Sequence, residues 1–500
     1  MKLRQRFLTA AIITAISVGS LTSFAATKHW NDASLTPAAV TATQLAAQTD
    51  WQAWKDGWDA LKTNYEQVSL SPGSDASKLN FAWCSKEEGA VVRVSTDAAM
   101  KNAKEFSGTS LPGSEIGGSQ YYANKVTADS FKPNKSYWYQ VKVDGKWQAP
   151  QEYKTKSFKK FSFMFVGDPQ IGASIGQVPS DGDQKQNGDI ATRNDAYNWN
   201  KTLNAAQKQH PEINFIVSAG DQINEAVEDK SPEKRQLQEN QYAGYLSAAA
   251  LRSLPVATTI GNHDSFTTGY QNHFNTPNPF LAEKSPTAAG HGYYYSYGDA
   301  LFIVLNTNNY NVADHKALIE KAIAENPKAK WRMVMIHQDI YGSGLDHSDS
   351  DGVILRTQLT PIFDQNHIDA VFQGHDHTYA RTYQLSSDAR QHKAFTNNID
   401  FKDAQVKADF LAESNCYTIA DKGQGTVFNP KGIFYMTANS ATGSKFYELL
   451  PMQQDYIAAR NQTWRPTYSV VDVTEDSLTI KTYDVETGQA IDDAYTIVKK

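Results

Sequence analysis

Between residues 66 and 156, short stretches with alternating apolar positions are separated by turns. They fall at residues 79–83, 90–95, 121–128 and 136–143, with Pro-Asn and Asp-Gly pairs between or after them. A period of two in pieces this short, with no helical segment, predicts a small β-sandwich over residues 66–157. The preceding segment, residues 26–65, carries Trp51, Trp54, Trp58 and Leu61 at helical spacing. That stripe predicts a helical extension packed on a neighbouring domain. From residue 160 the texture changes. Uninterrupted apolar runs at 161–166, 214–219, 255–260, 300–306, 331–336 and 368–372 read as buried strands. Helical patterns at 194–209, 242–253, 314–325 and 355–366 lie between them. Strand and helix in alternation predict a layered α/β domain over residues 158–500. Further strands are expected at 432–437, 468–473 and 478–484, after a polar, irregular insertion at about 385–430.

Five polar motifs sit directly behind five of those strands. They are Gly167-Asp168-Pro169-Gln170, Gly220-Asp221, Gly261-Asn262-His263-Asp264, His337-Gln338-Asp339 and Gly374-His375-Asp376-His377. The carboxyl ends of strands in an open α/β sheet share one edge, where ligands bind, so these motifs are expected to meet. Other Gly-Asp pairs do not follow that rule. Those at 182 and 188 are expected in a polar loop, and the one at 298 joins two strand-like runs as an ordinary turn. Aspartate oxygens, an Asn carbonyl and neutral imidazoles suit Zn, Fe or Mn. A shared carboxylate can hold two such ions about 3.5–4 Å apart. Only Asp168 and Asp221 are anionic in this set, so two divalent ions keep a net positive charge that attracts phosphate.

The ordered set resembles the metallophosphoesterase (calcineurin-like) superfamily. With the β module in front, notably residues 73–83 and 124–156, it is similar to bacterial purple-acid-phosphatase-type proteins with a fibronectin-III-like domain. The resemblance covers about residues 66–500. It implies a two-sheet α/β metallophosphoesterase domain with Asp168, Asp221 and His377 on a first metal. Asp221 would bridge, and Asn262, His337 and His375 would complete the second. It implies His263 beside the substrate as general acid, with Asp264 orienting it, and His347 as a second substrate contact or else an exposed loop histidine. Gln170 stands where the superfamily often has His, and would bind metal or only hydrogen-bond water. Asn224 stands where purple acid phosphatases carry a Tyr ligand, so the phenolate–iron colour should be absent. Arg381 reads as a phosphate contact or a loop brace.

The expected reaction is hydrolysis of small phosphate monoesters by hydroxide generated at the metal pair. A phosphodiesterase or nucleotidase using the same site, and an exported binding protein with an inactive domain, are the alternatives. Lys2, Arg4 and Arg6 before an apolar run, with Ser23-Phe24-Ala25 behind it, predict a signal peptide over residues 1–25. That implies secretion, extracellular or periplasmic, with no membrane span once the signal is removed. Its loss makes the chain more acidic than its full-length net charge of −6, which disfavours nucleic acid as a partner. Cys84 and Cys416 could pair or stay separate.

Overall fold

The computed structural model describes residues 49–178, 185–226, 231–345, 347–348, 351–390, 392 and 403–500. The expected signal peptide, and the part of the helical extension before residue 49, lie outside them. Helix α1 (Trp51–Lys62) carries the Trp stripe. Its Trp58 is buried against the layered domain and donates from Nε1 to Asp189 Oδ1 at 3.1 Å.

Nine strands follow: β1 (Ser69–Pro72), β2 (Leu79–Ser85), β3 (Val91–Ser95), β4 (Lys104–Ser107), β5 (Thr109–Ile116), β6 (Ser119–Ala128), β7 (Ser136–Val143), β8 (Lys146–Trp147) and β9 (Gln151–Lys154). One sheet runs β1-β2-β6-β5. The other runs β4-β3-β7, with β8 and β9 on β7. Phe81, Trp83, Val92 and Tyr139 fill the space between. Strands β4 and β5 escaped the sequence pattern because their side chains are largely exposed, which removes the apolar signal.

The layered domain begins with β10 (Phe161–Val166), α2 (Gly188–Gln209), β11 (Ile213–Ser218), α3 (Pro232–Leu246), β12 (Val256–Thr258) and α4 (Gly269–His273). It continues with β13 (Tyr293–Tyr297), β14 (Ala300–Val304), α5 (Val312–Glu325), β15 (Trp331–Met335), α6 (Asp351–Gln365), β16 (Ala370–Gln373) and β17 (Tyr379–Thr382). Last come β18 (Gln384–Ser386), α7 (Ala404–Glu413), β19 (Thr418–Asp421), β20 (Thr426–Phe428), β21 (Phe434–Thr437), β22 (Ile457–Asn461), β23 (Thr467–Val473), β24 (Ser477–Asp484) and β25 (Tyr495–Val498).

Two seven-stranded sheets face each other. Their orders are β12-β11-β10-β23-β24-β25-β20 and β13-β14-β15-β16-β21-β17-β22. Alternation along β10 explains the stacking. Phe161, Phe163 and Phe165 point between the sheets, where Phe163 meets Phe302 at 5.4 Å and Phe165 meets Phe372 at 4.9 Å between ring centroids. Met164 and Val166 point the other way, into the core under α2 and α3. Leu301, Ile303 and Val334 do the same on the second sheet, under α5 and α6. The result is helix, sheet, sheet, helix.

Two expectations need correction. Gly188-Asp189 is not loop: it opens α2, whose N-cap Asn187 accepts from Ile190 N at 2.9 Å. The 385–430 insertion is not irregular throughout, since it contains α7, β19 and β20, and β20 pairs with β25. Its residues 391 and 393–402 lie outside the described set. Cys84 and Cys416 are both buried and both free thiols.

Candidate metal centre

Strands β10, β11 and β12 run parallel, as do β14, β15, β16 and β21. Their carboxyl ends release the five motifs into one cleft. Asp168, Asp221 and Asn262 come from the first sheet, and His337, His375 and His377 from the second. Donor atoms of Asp221, His337 and His375 all lie within 4.8 Å of one another. His337 Nε2 is 2.9 Å from Asn262 Oδ1 and 3.5 Å from Asp221 Oδ1. Asp168 Oδ1 is 3.7 Å from His337 Nδ1 and 3.8 Å from His377 Nε2. The backbone N of His375 donates to Asp168 Oδ2 at 2.9 Å.

Backbone geometry makes this crowding possible. Gly220 has φ +119°, and a Cβ there would lie 2.4 Å from His337 Nδ1. A Cβ on Gly261 would lie 1.9 Å from Asp221 Oδ1. Gln170, Asp221, His375 and His377 themselves adopt φ of +36°, +46°, +70° and +46°. Non-glycine residues in that region are strained and gather at functional sites.

The orientation of the imidazoles tests whether a cation fits. His337 Nδ1 lies 3.0 Å from the Ala219 carbonyl, and His377 Nδ1 lies 2.7 Å from the Lys445 carbonyl. A carbonyl only accepts, so each Nδ1 carries its proton and each Nε2 presents a lone pair inward. Lone pairs of His337 Nε2, Asn262 Oδ1 and Asp221 Oδ1 therefore converge. Asp168 Oδ1 and Gln170 Oε1 are buried and accept no hydrogen bond among the described residues. Converging acceptors with no donor between them are what a cation satisfies, so the residues fit metal ions. Electrostatics agree in part: burial works against charge on His337, but Asp221 and Asp168 outweigh it and hold that imidazole above its ordinary value. Burial pushes the Asp168 carboxyl up, with Asp221 adding to it and His337 opposing. Burial also works against ionised Asp221, but His337, His263 and His375 together hold it below the usual carboxylate range. Burial, helped by Lys445, holds His377 well below an ordinary imidazole and keeps it neutral, as a ligand must be.

The remaining expected residues divide. His263 is half-buried at the cleft; its N donates to Asp221 Oδ1 at 2.9 Å. Its ring is held by the Asn224 carbonyl, 2.5 Å from Nδ1, which leaves Nε2 for a substrate. Asp264 therefore does not orient that ring, contrary to expectation. Its Oδ2 accepts from Gly261 N at 3.0 Å, Gln222 N at 3.2 Å and Gln222 Nε2 at 2.9 Å. Asp264 ties together the turns that carry Asn262 and Asp221, and burial beside Asp221 lifts its carboxyl to about 7. His347 does reach the cleft, with its ring centroid 3.7 Å from that of His375. Gln170 Nε2 donates to Asn224 Oδ1 at 3.2 Å, and Oε1 meets no donor among the described residues. Arg381 is not a substrate contact. Its Nε donates to Asp492 Oδ2 at 2.5 Å and its Nη2 to Oδ1 at 3.2 Å, while Tyr495 covers the guanidinium at 5.3 Å.

Sequence reasoning missed Tyr447 and Lys445. The Tyr447 hydroxyl is 3.3 Å from His347 Nε2, and its ring lies 5.3 Å from His377. Both residues sit in a loop without periodicity, so no pattern marks them. Asp376 and Asp339 were also missed as supports: their Oδ2 atoms flank Ser348 Oγ at 2.5 and 2.7 Å and share its single proton, fixing the loop that bears His347.

Two facing sheets whose parallel strands end on buried carboxylates and imidazoles define a metal-dependent phosphoesterase. Residues 161–379 match the calcineurin-like phosphoesterase family, and residues 65–155 match the purple acid phosphatase N-terminal domain. The chain thus carries a calcineurin-like phosphoesterase domain behind a purple acid phosphatase N-terminal domain. The fold is similar to that of purple acid phosphatase PPD1 from yellow lupin (Lupinus luteus) seeds, at 14% identity and TM-score 0.60, covering 87% of this chain and 75% of that one. It is also similar to PhoD, at 13% identity and TM-score 0.52, covering 86% and 93%. At such identities the likeness is one of fold.

Proposed function

We propose that this protein is an exported phosphatase that holds two metal ions, drawn from Fe, Zn and Mn, and hydrolyses small phosphate monoesters. The observation that carries this reading is the inward convergence of acceptor atoms from Asp221, His337 and Asn262, with the donor-free Asp168 Oδ1 beside them. Asp168, Asp221 and His377 would hold one ion, and Asp221, Asn262, His337 and His375 the other, with Gln170 Oε1 available to the first. Bound there, such ions lower the pKa of water and neutralise charge on phosphate. The protein's own groups supply the rest. His263, whose ring the Asn224 carbonyl fixes through Nδ1, would give a proton from Nε2 to the leaving oxygen. His347, held against Tyr447, offers a further donor to phosphate. The carbonyls of Ala219 and Lys445 lock the tautomers of His337 and His377.

Export rests on the basic and apolar opening of the sequence. Among the described residues no helix is long and apolar enough to cross a membrane. The test is to strip the purified protein with chelator and assay p-nitrophenyl phosphate before and after adding back Mn, Zn, Fe or Co. Activity should vanish and return, with about two ions bound per chain. Full activity in the metal-free protein would sink the proposal, and faster turnover of bis-p-nitrophenyl phosphate would replace the monoester by a diester.

A further inference from the structure

A second cleft lies where the β-sandwich meets the layered domain. It has a volume of about 530 Å³ and is walled by the outer face of β2 and β6 and by the segment from α4 to residue 291. The pairing Ala82↔Lys125 and Asn80↔Thr127 puts Lys125 and Thr127 on one face of β6, with Asn80 across from Thr127. The walls are clamped together across the domain boundary. Asn80 Nδ2 donates to the Asn275 carbonyl at 2.8 Å, and Asn275 Nδ2 donates to the carbonyls of Phe81 and Val126 at 3.3 and 3.2 Å. This cleft exists only because both domains are present.

Its charge is unusual for this chain. The protein is acidic overall, yet among the described residues no Asp or Glu lines the cleft and two lysines do. Lys78 has partners, Asp75 at 3.1 Å and Ser74 Oγ at 2.8 Å. The Lys125 ammonium has neither a hydrogen bond nor an ion pair among the described residues. Burial alone pulls its amine down to about 8, with no carboxylate to offset it. A half-buried ammonium with no counter-charge is costly, and proteins retain one where an anion meets it. Beside it, Pro277, Pro279 and the exposed Leu281 form an apolar lip.

We propose that this interdomain cleft is a binding site for a small organic anion, whose phosphate or carboxylate meets Lys125 and whose apolar body rests on Pro277, Pro279 and Leu281. No residue of the metal cleft lines it, so the two sites are separate and the proposal stands apart from the phosphatase reading.

The test reads Lys125 itself. Acetylation of the full-length protein at pH 8 is followed by mass spectrometry, with phenylphosphonate, benzoate or ionic-strength-matched chloride added. At about ten times its Kd, a probe seated on Lys125 slows acetylation there by about tenfold. Protection by phenylphosphonate, by benzoate or by both supports the site and tells which head group it takes. No protection, or equal protection by chloride, overturns it. The measurement is repeated on chelator-stripped protein and on Asp221→Asn. Protection that disappears in both belongs to the metal cleft and also overturns it. Calorimetric binding of the protecting probe to stripped protein should be lost in Lys125→Met and kept in Lys125→Arg, with turnover of p-nitrophenyl phosphate unaltered by either substitution. Undiminished binding in Lys125→Met refutes the assignment.

Discussion

Two buried clusters in this protein are built from the same residue types and do opposite things. At the seam between domains, His273 of α4 has Nε2 2.8 Å from Glu239 Oε2 of α3. The other Glu239 oxygen accepts from Ser114 of β5, and His273 Nδ1 lies 4.0 Å from Cys84 Sγ of β2. Tyr242 stacks on the imidazole at 4.4 Å. In the metal cleft the carboxylates and imidazoles are just as buried, yet lone pairs face lone pairs and Asp168 Oδ1 accepts nothing among the described residues. Burial and charge do not tell the two apart. Saturation of the ionisable groups does: Glu239, His273 and Cys84 satisfy one another, although the Tyr242 hydroxyl has no partner among the described residues, whereas acceptors that converge with no donor between them await something from outside.

Substitutions on the two sides should separate cleanly. The largest effect is expected for Asp221→Asn, which should drop both activity and bound metal to background, measured by turnover and elemental analysis. Its unfolding midpoint in chelator should stay near that of the stripped parent. Next comes His263→Ala, which should cost about 10²–10⁴-fold in turnover of alkyl phosphates, whose leaving groups need a proton. On p-nitrophenyl phosphate it should cost little, and equal losses on both would remove the general acid.

His273→Gln breaks the saturated cluster and should cost about 3–5 kcal/mol of stability in denaturant titrations. Turnover per folded molecule and metal content should not change. This effect has a pH signature. Burial works against the His273 imidazolium, but Cys84 and Glu239 outweigh it and lift its pKa to about 10. A pKa raised on folding gives stability that is complete below the unfolded value of about 6.5 and fades as pH rises through 10. The stability gap between parent and His273→Gln should shrink over that window, and a gap that widened there would contradict the ion pair. The smallest effect is expected for Arg381→Met, which should lose about 2 kcal/mol of stability with KM unchanged.

The layers and the six candidate ligands were legible because both leave a mark in one dimension. A buried parallel strand is an uninterrupted apolar run, and its carboxyl end is the next polar residue, so Asp168, Asp221 and His375 announce themselves. What was not legible depends on side-chain direction. Nothing in Asn262-His263-Asp264 reveals that the ring of His263 turns to the Asn224 carbonyl and away from Asp264. Arg381 sits four residues beyond His377, but it lies on β17 and is taken up by Asp492, more than a hundred positions away. Tyr447 reaches the cleft from a loop with no period to detect.

The origin of the six candidate ligands also has a mechanical side. One layer brings oxygen, from Asp168, Asp221 and Asn262, and the other brings nitrogen, from His337, His375 and His377. Cations gripped from both would rivet the halves together at the sheet edge, beyond the aromatic filling between the sheets. Chelation would then loosen the two layers against shear as well as stopping turnover, and calorimetric traces of loaded and stripped protein would differ most in the cooperativity of melting.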